Sequence, residues 1–377
     1  MNFDRLKILL DDLADGKRLS GSSCIVSYKN EKVFSYSTGY SDVENKIPMT
    51  GEELFFIYSM TKPITCTAAL QLFEKGKFLL SDPLYCYIPE YKNMTVKTET
   101  GIITECKNPI RIEDLFTMSA GFNYNLRCDI IEEVKKRTDG KVPTTELARV
   151  FASQPLEYEP GTHWRYSWAH DVLAAVVEII SGKRYSDYVK ENIFEPLGMK
   201  NTGFDETVLD TEAFAKKYNY DKETNSLKPF NLKCIYKLGS EHDSGGAGLI
   251  STVSDYSLFA KVMANFGTCE NGERIISRNT INMMRRNFLD KKRLENFGDW
   301  YSKRGYGYGL GVRTMIDLAR GGANGNIGEF GWDGAAGSYV LIDPESNLSI
   351  TYMQHVLNAS MSDEHRKIKN VVYSCIE

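Results

Sequence analysis

Ser59-Met60-Thr61-Lys62 constrains this chain more than any other stretch. It sets a hydroxyl and an amine three residues apart, just before Pro63 and the apolar run Ile64 to Phe73. That run reads as a helix, and residues i and i+3 of a helix share a face. Proline is tolerated in a first turn and disfavoured deeper. The helix is therefore expected to start close to Ser59, with Ser59 and Lys62 pointing into one cleft. Such a pair is a signature of serine acyl transfer, in which an adjacent base activates the hydroxyl. No other Ser-x-x-Lys occurs in the chain.

The 377 residues are enough for a large core. A net charge of −4 with interspersed signs gives no basic stripe for nucleic acid and no polybasic tract for a membrane surface. The first residues alternate charged and apolar side chains at helical spacing, unlike a signal peptide. The longest apolar stretch, Val172 to Ile180, contains Glu178 and is too short to span a bilayer. The chain reads as cytoplasmic, with an exported form that has lost its leader left open. Eight cysteines are scattered singly without a Cys-x-x-Cys pair, which argues for reduced thiols and against a zinc or redox motif. No His-Glu-x-x-His pattern occurs, so no metal or other cofactor is expected.

Two strands, Cys24–Tyr28 and Val33–Ser37, are predicted to form a hairpin around residues 29–32. Helices are predicted over the first 13 residues, Asp171–Ser181 with Gly182 as its stop, and Tyr185–Phe194 ending before Pro196. Further helices are predicted over Ser254–Phe266 and Ser277–Arg286, each with an N-cap serine, and over Ser362–Tyr373. Strands are predicted over Gly307–Arg313, Ser338–Asp343 and Leu348–Gln354. Segments 200–240 and 290–305 read as motif-free loops that supply pocket walls. Strands at both ends suggest one sheet built from both termini with a helical insertion. This gives a single catalytic unit, residues 1–75 with 235–377 forming an α/β part and 76–234 a helical part.

Two further segments carry chemistry. Glu159-Pro160-Gly161 marks a turn, and Tyr166 follows in a short loop entering a helix. A phenol near a lysine ammonium is easier to deprotonate and could accept the Ser59 proton. Gly331-Trp332-Asp333-Gly334-Ala335-Ala336-Gly337 leads into a strand, where small residues allow close approach to the backbone. An N–H there could complete an oxyanion hole with the N–H of Ser59. His170-Asp171 reads as helix capping and local hydrogen bonding rather than as part of a Ser-His-Asp triad. No Gly-x-Ser-x-Gly elbow occurs. The glycine alternation from Gly305 to Gly311 has no helix behind it and is not a nucleotide loop.

The order of these pieces resembles a known family. Ser59-Met60-Thr61-Lys62-Pro63, Met118-Ser119-Ala120-Gly121-Phe122, Glu159-Pro160-Gly161 with Tyr166-Ser167, Phe194-Glu195-Pro196-Leu197-Gly198-Met199 and Gly245-Gly246-Ala247-Gly248-Leu249 look like the class C β-lactamase-related serine hydrolases. Within that group Trp332-Asp333-Gly334 resembles the Trp-x-Gly of family VIII carboxylesterases. The resemblance spans about residues 20 to 355. It implies an α/β fold of the α+β type, β-lactamase/transpeptidase-like, with an antiparallel sheet flanked by helices plus a mostly helical subdomain. It also implies Ser59 as the acylated nucleophile, Lys62 and Tyr166 sharing the general-base role, and Tyr166 returning a proton to the leaving group. The N–H groups of Ser59 and Ala335 would form the oxyanion hole.

Two departures bear on the substrate. The lactamase Tyr-x-Asn is here Tyr166-Ser167-Trp168, and the Lys-Thr-Gly is Trp332-Asp333-Gly334. The missing Asn and Lys normally hold the amide and carboxylate of a β-lactam. The expected partner is therefore a small, less charged ester or amide, with Tyr124, Trp168, Trp332, Asp333 and Gly334 contacting it. A β-lactamase, a D-amino-acid peptidase or an acyltransferase would use the same scaffold. A silent protein that only binds acyl groups or peptides is the reading from another class. No oligomeric state is read from the sequence.

Overall fold

The computed structural model describes residues 1–126, 128–204, 213–231, 233–301 and 304–376. Strands β1 (Gly21–Tyr28) and β2 (Glu31–Asp42) form the expected hairpin, longer than the sequence suggested. Lys29 and Asn30 alone make its turn, with φ of 52° and 67°. A two-residue turn with both φ positive matches the twist of the strands it joins.

The sheet adds β3 (Ile47–Pro48), β4 (Tyr306–Tyr308), β5 (Arg313–Met315), β6 (Phe330–Asp333), β7 (Tyr339–Asp343) and β8 (Leu348–Met353). Its order is β4-β5-β6-β7-β8-β1-β2-β3, antiparallel throughout. Both ends of the chain thus share one sheet through the pairing of β1 with β8.

Period-two alternation gives the sheet two buried faces. Val26, Leu341, Ile350 and Tyr352 meet α1 (Asp4–Leu13) and the terminal helix Ser362–Cys375. Leu6 and Leu10 of α1 are fully buried there. At about 1.5–3 kcal/mol each, they hold a helix too short to persist alone. Ile25, Val340, Ile342 and Met353 face the other way, into the larger core. That core contains α2 (Thr61–Glu74), α3 (Ala169–Ser181) and α4 (Val253–Ala264).

Several elements differ from expectation. Gly307–Arg313 is not one strand but the end of β4, a turn and the start of β5. Gly309 and Gly311 allow the reversal. A Cβ on Gly309 would lie 2.1 Å from the Met284 carbonyl, and one on Gly311 2.1 Å from Cys66 Sγ. Helix α4 is capped by Thr252, whose side chain accepts from the Asp255 N–H, not by Ser254. Ser277 does cap Arg278–Met284. The 185–194 helix passes through a π-turn and continues to Leu197, because Pro196 falls in the first turn of that last piece. The segment from 291 to 301, read as loop, is helix α5 (Lys291–Tyr301). Strands Tyr218–Asp221 and Ser226–Pro229, within a segment read as loop, pair with each other. The first also pairs with Val356–Leu357.

No disulfide joins any of the eight cysteines, all of which lie among the described residues. Among the described residues no helix is long and apolar enough to cross a membrane.

Candidate active site

Ser59 lies in a 3₁₀ turn, Tyr58–Met60, between the strand Phe55–Phe56 and α2. Tyr58 has φ 45°, a costly conformation for a bulky residue. Its ring is buried against Phe56 and Tyr236, which hold it there. The strained residue turns the next side chain, Ser59, out of the core. Ser59 is therefore not a helix cap. Pro63 sits in the first turn of α2, as expected.

Lys62 is fully buried. Its Nζ donates to the Gly246 carbonyl at 2.7 Å and lies 3.4 Å from Ser59 Oγ. It also sits 4.4 Å from the centre of the Tyr166 ring and 5.7 Å from that of Tyr124. Burial pulls its amine down from the usual lysine range to about 7, with Asp171 and Cys66 pulling the other way.

Tyr166 Oη donates to Ser59 Oγ at 2.5 Å. The Tyr166 loop is held by backbone bonds from Arg165 N to Met118 O and from Trp168 N to Asn123 O. Burial pushes the Tyr166 phenol up, while hydrogen bonds with Ser59 and Trp332 favour the phenolate. Burial thus works in opposite senses on the two groups, favouring the neutral phenol of Tyr166 and the free amine of Lys62.

The remaining predicted residues divide. Trp332 stacks on Tyr166 with centroids 6.0 Å apart. Its hydrogen bond to the phenol oxygen uses the indole N–H, the one polar donor of that side chain. Tyr124 stands edge-on to Tyr166 at 5.4 Å. Trp168 lies deeper, 2% exposed, packed on Tyr124 and Phe151 behind the site. Asp333, alternating with Trp332 along β6, points to the other face and pairs with buried Arg313 at 3.6 Å. The Gly334 N–H is taken by the Ser338 carbonyl. A Cβ at Gly334 would stand 2.4 Å from the Ile57 carbonyl, so this glycine lets the 334–337 turn press against the Ser59 loop. Trp168, Asp333 and Gly334 thus build the site's walls rather than reach into it. Among the described residues, no backbone hydrogen bond uses the N–H of Ser59 or Ala335.

Three residues were not anticipated. Trp300, on α5, stacks on Tyr166 at 4.7 Å and is 51% exposed. Tyr236 stacks on Tyr124 at 5.7 Å. Asp171, expected to cap its helix, instead accepts from Ser244 Oγ at 2.6 Å and the Gly246 N–H at 3.3 Å. His170 is buried against Cys66 and the Phe116 carbonyl, away from Ser59.

A buried amine and a phenol converge on one hydroxyl oxygen, that of Ser59. Across residues 7–372 the sequence matches the family model described as Beta-lactamase. The chain belongs to the β-lactamase family. Protein Rv1367c of Mycobacterium tuberculosis is 30% identical over 372 residues, covering 96% of this chain and 92% of that protein. Esterase EstB of Burkholderia gladioli is 26% identical over 387 residues, covering 95% and 91%. The solved structure of "EstCE1, a hydrolase with promiscuous acyltransferase activity" superposes with a TM-score of 0.81 at 24% identity, covering 98% and 97%. This member of the β-lactamase family is a serine hydrolase related to esterases, with the large antiparallel sheet and flanking helices of that fold.

Proposed function

We propose that this serine hydrolase cleaves small carboxylic esters through an acyl-enzyme on Ser59. The observation that carries the reading is the convergence of Tyr166 Oη (2.5 Å) and Lys62 Nζ (3.4 Å) on Ser59 Oγ. Lys62, as free amine, takes the Ser59 proton while Oγ attacks the ester carbonyl. The N–H groups of Ser59 and Ala335 receive the developing oxyanion. As the tetrahedral centre collapses, Tyr166 gives its proton to the leaving alkoxide. The phenolate so formed is met by the Trp332 N–H and by the Lys62 ammonium over its ring, and the water that enters for deacylation relays the Lys62 proton to it. Water then repeats the sequence on the acyl-enzyme and releases the carboxylic acid.

An ester is favoured over a β-lactam because an uncharged indole at residue 332 bonds the Tyr166 oxygen where the lactamase motif has a lysine. Trp168, at the place of the lactamase asparagine, is sunk in the core. The partner proposed is a small uncharged ester, with an amide the slower substrate. The test compares hydrolysis of p-nitrophenyl butyrate with that of a chromogenic cephalosporin and a D-amino-acid amide. The ester should turn over fastest, and Ser59→Ala should lower its kcat at least about 10³-fold. Unchanged turnover in Ser59→Ala would sink the mechanism. A faster cephalosporin or amide would sink the substrate assignment.

A further inference from the structure

The Gly245-Gly246 pair has no part in the scheme above, yet its backbone holds the proposed base. Lys62 Nζ donates to the Gly246 carbonyl at 2.7 Å. The N–H of the same residue donates to Asp171 Oδ1 at 3.3 Å, and Ser244 Oγ donates to that oxygen at 2.6 Å. Asp171 is 3% exposed, and its Oδ2 has no hydrogen-bond partner among the described residues. Half-satisfied buried carboxylates are costly, so one that persists calls for a reason.

Only glycine fits at both places. A Cβ on Gly246 would lie 2.5 Å from Asp171 Oδ2. One on Gly245 would lie 2.5 Å from the His170 carbonyl and 2.6 Å from Ala174 Cβ. The turn therefore lies flat on the start of α3, and this contact directs the Gly246 carbonyl at Lys62.

Asp243, next to Ser244, is paired with Arg184 at 2.9 Å, and Lys237 acts on His242; the other groups around this pair are uncharged near neutral pH. On α2, Cys66 is held as a thiol by burial. On α3, burial pushes His170 down to about 3, and ahead of the glycines it pushes His242 down to about 4. The phenols of Tyr124, Tyr166, Tyr185 and Tyr236 are pushed up by burial. Asp171 is the carboxylate whose charge acts on Lys62.

We propose that Asp171, through the Ser244–Gly246 turn, is a positioning residue that orients Lys62 and sets the pH at which Lys62 accepts the Ser59 proton. The proposal rests on the reading of Lys62 as base. Its chemistry is simple: an opposite charge favours the ammonium, and removing it favours the free amine.

The test follows labelling of Ser59 by a fluorophosphonate against pH, read by mass spectrometry, with circular dichroism to confirm folding. In the unaltered protein the rate should fall as pH drops through about 7. Asp171→Asn keeps an oxygen that can accept from Ser244 and Gly246. Its acid limb should move to lower pH by about one unit or more. A folded Asp171→Asn protein whose limb stays in place overturns the proposal. Should that variant not fold, Gly246→Ala breaks the same link from its other end. It should slow labelling at least about tenfold and move the limb the same way. Native rate and limb in Gly246→Ala also overturn the proposal. Labelling of Lys62→Met at the native rate would be a different failure: it removes Lys62 as the base, and Asp171's role with it.

Discussion

A lysine with no exposed surface carries its proton at a cost. The folded-state value of Lys62 lies near 7, below the 10.5 of an exposed lysine. Below pH 7 both folded and unfolded chains bind the proton, and the full cost of the buried charge falls on the folded state. Between 7 and 10.5 the unfolded chain binds the proton and the folded one does not, so stability rises with pH. Lys62→Met should therefore raise stability most at pH 6–7, by on the order of a few kcal/mol, and less by pH 10, with the melting temperature rising accordingly. It should abolish esterase activity at every pH. Thermal unfolding across that range checks the first outcome, and a gain that grows with pH would contradict it. Ser59, Lys62 and Tyr166 are legible in the sequence because each sits in a local motif. The opposite effect of burial on Lys62 and Tyr166 is not, since it depends on residues far away in the chain.

At the scale of elements, the walls around Tyr166 show what local patterns miss. Trp332 is readable because it stands beside glycines that mark a turn. Trp300 is not, because it lies in a polar segment whose helix forms by docking Phe297 against Trp164 and Tyr308. The β4–β5 hairpin was read as one strand because its glycines mimic alternation, while close approach to Met284 and Cys66 decides the turn. Arg313 is the hidden member of this group. Its guanidinium bonds the Val340 carbonyl at 2.9 Å, pairs with Asp333, and lies 4.6 Å from the Tyr339 ring centre. It thereby fixes β5, β6 and β7 to one another under the site. Arg313→Met leaves Asp333, 23% exposed at its side chain, without that charge. We expect a loss on the order of 2–3 kcal/mol, less than for a fully buried pair because water reaches the carboxylate. A urea midpoint that falls at constant slope would show it, and an unchanged midpoint would refute it.

At the scale of the whole molecule, the two-ended sheet was legible from strand-like runs at both ends of the chain. The strands at 218–229 were not, because their pairing with Val356–Leu357 is set by tertiary contact rather than by local pattern. Histidines stitch such distant segments together. His355 accepts from the Phe56 N–H at 3.4 Å, so its Nδ1–H donates to the Ala215 carbonyl at 2.7 Å. His242 makes only a local contact, accepting from the Leu238 N–H four residues back at 3.2 Å. Burial pushes His170, His242 and His355 down to about 3, 4 and 3. As pH falls below 6.5 the unfolded chain takes up these protons before the folded one does, so stability falls. Asp114 and Glu178, pushed up to about 6 by burial, act the other way, because the folded chain holds their protons first. The histidine shifts are larger and more numerous, so the melting temperature should drop from pH 6.5 to 4. His355→Asn keeps a donor toward Ala215 without a titrating ring. It should flatten that drop while lowering stability at pH 8, where losing the Phe56 contact is the main effect. An equally steep drop in His355→Asn would assign the acid lability to other groups.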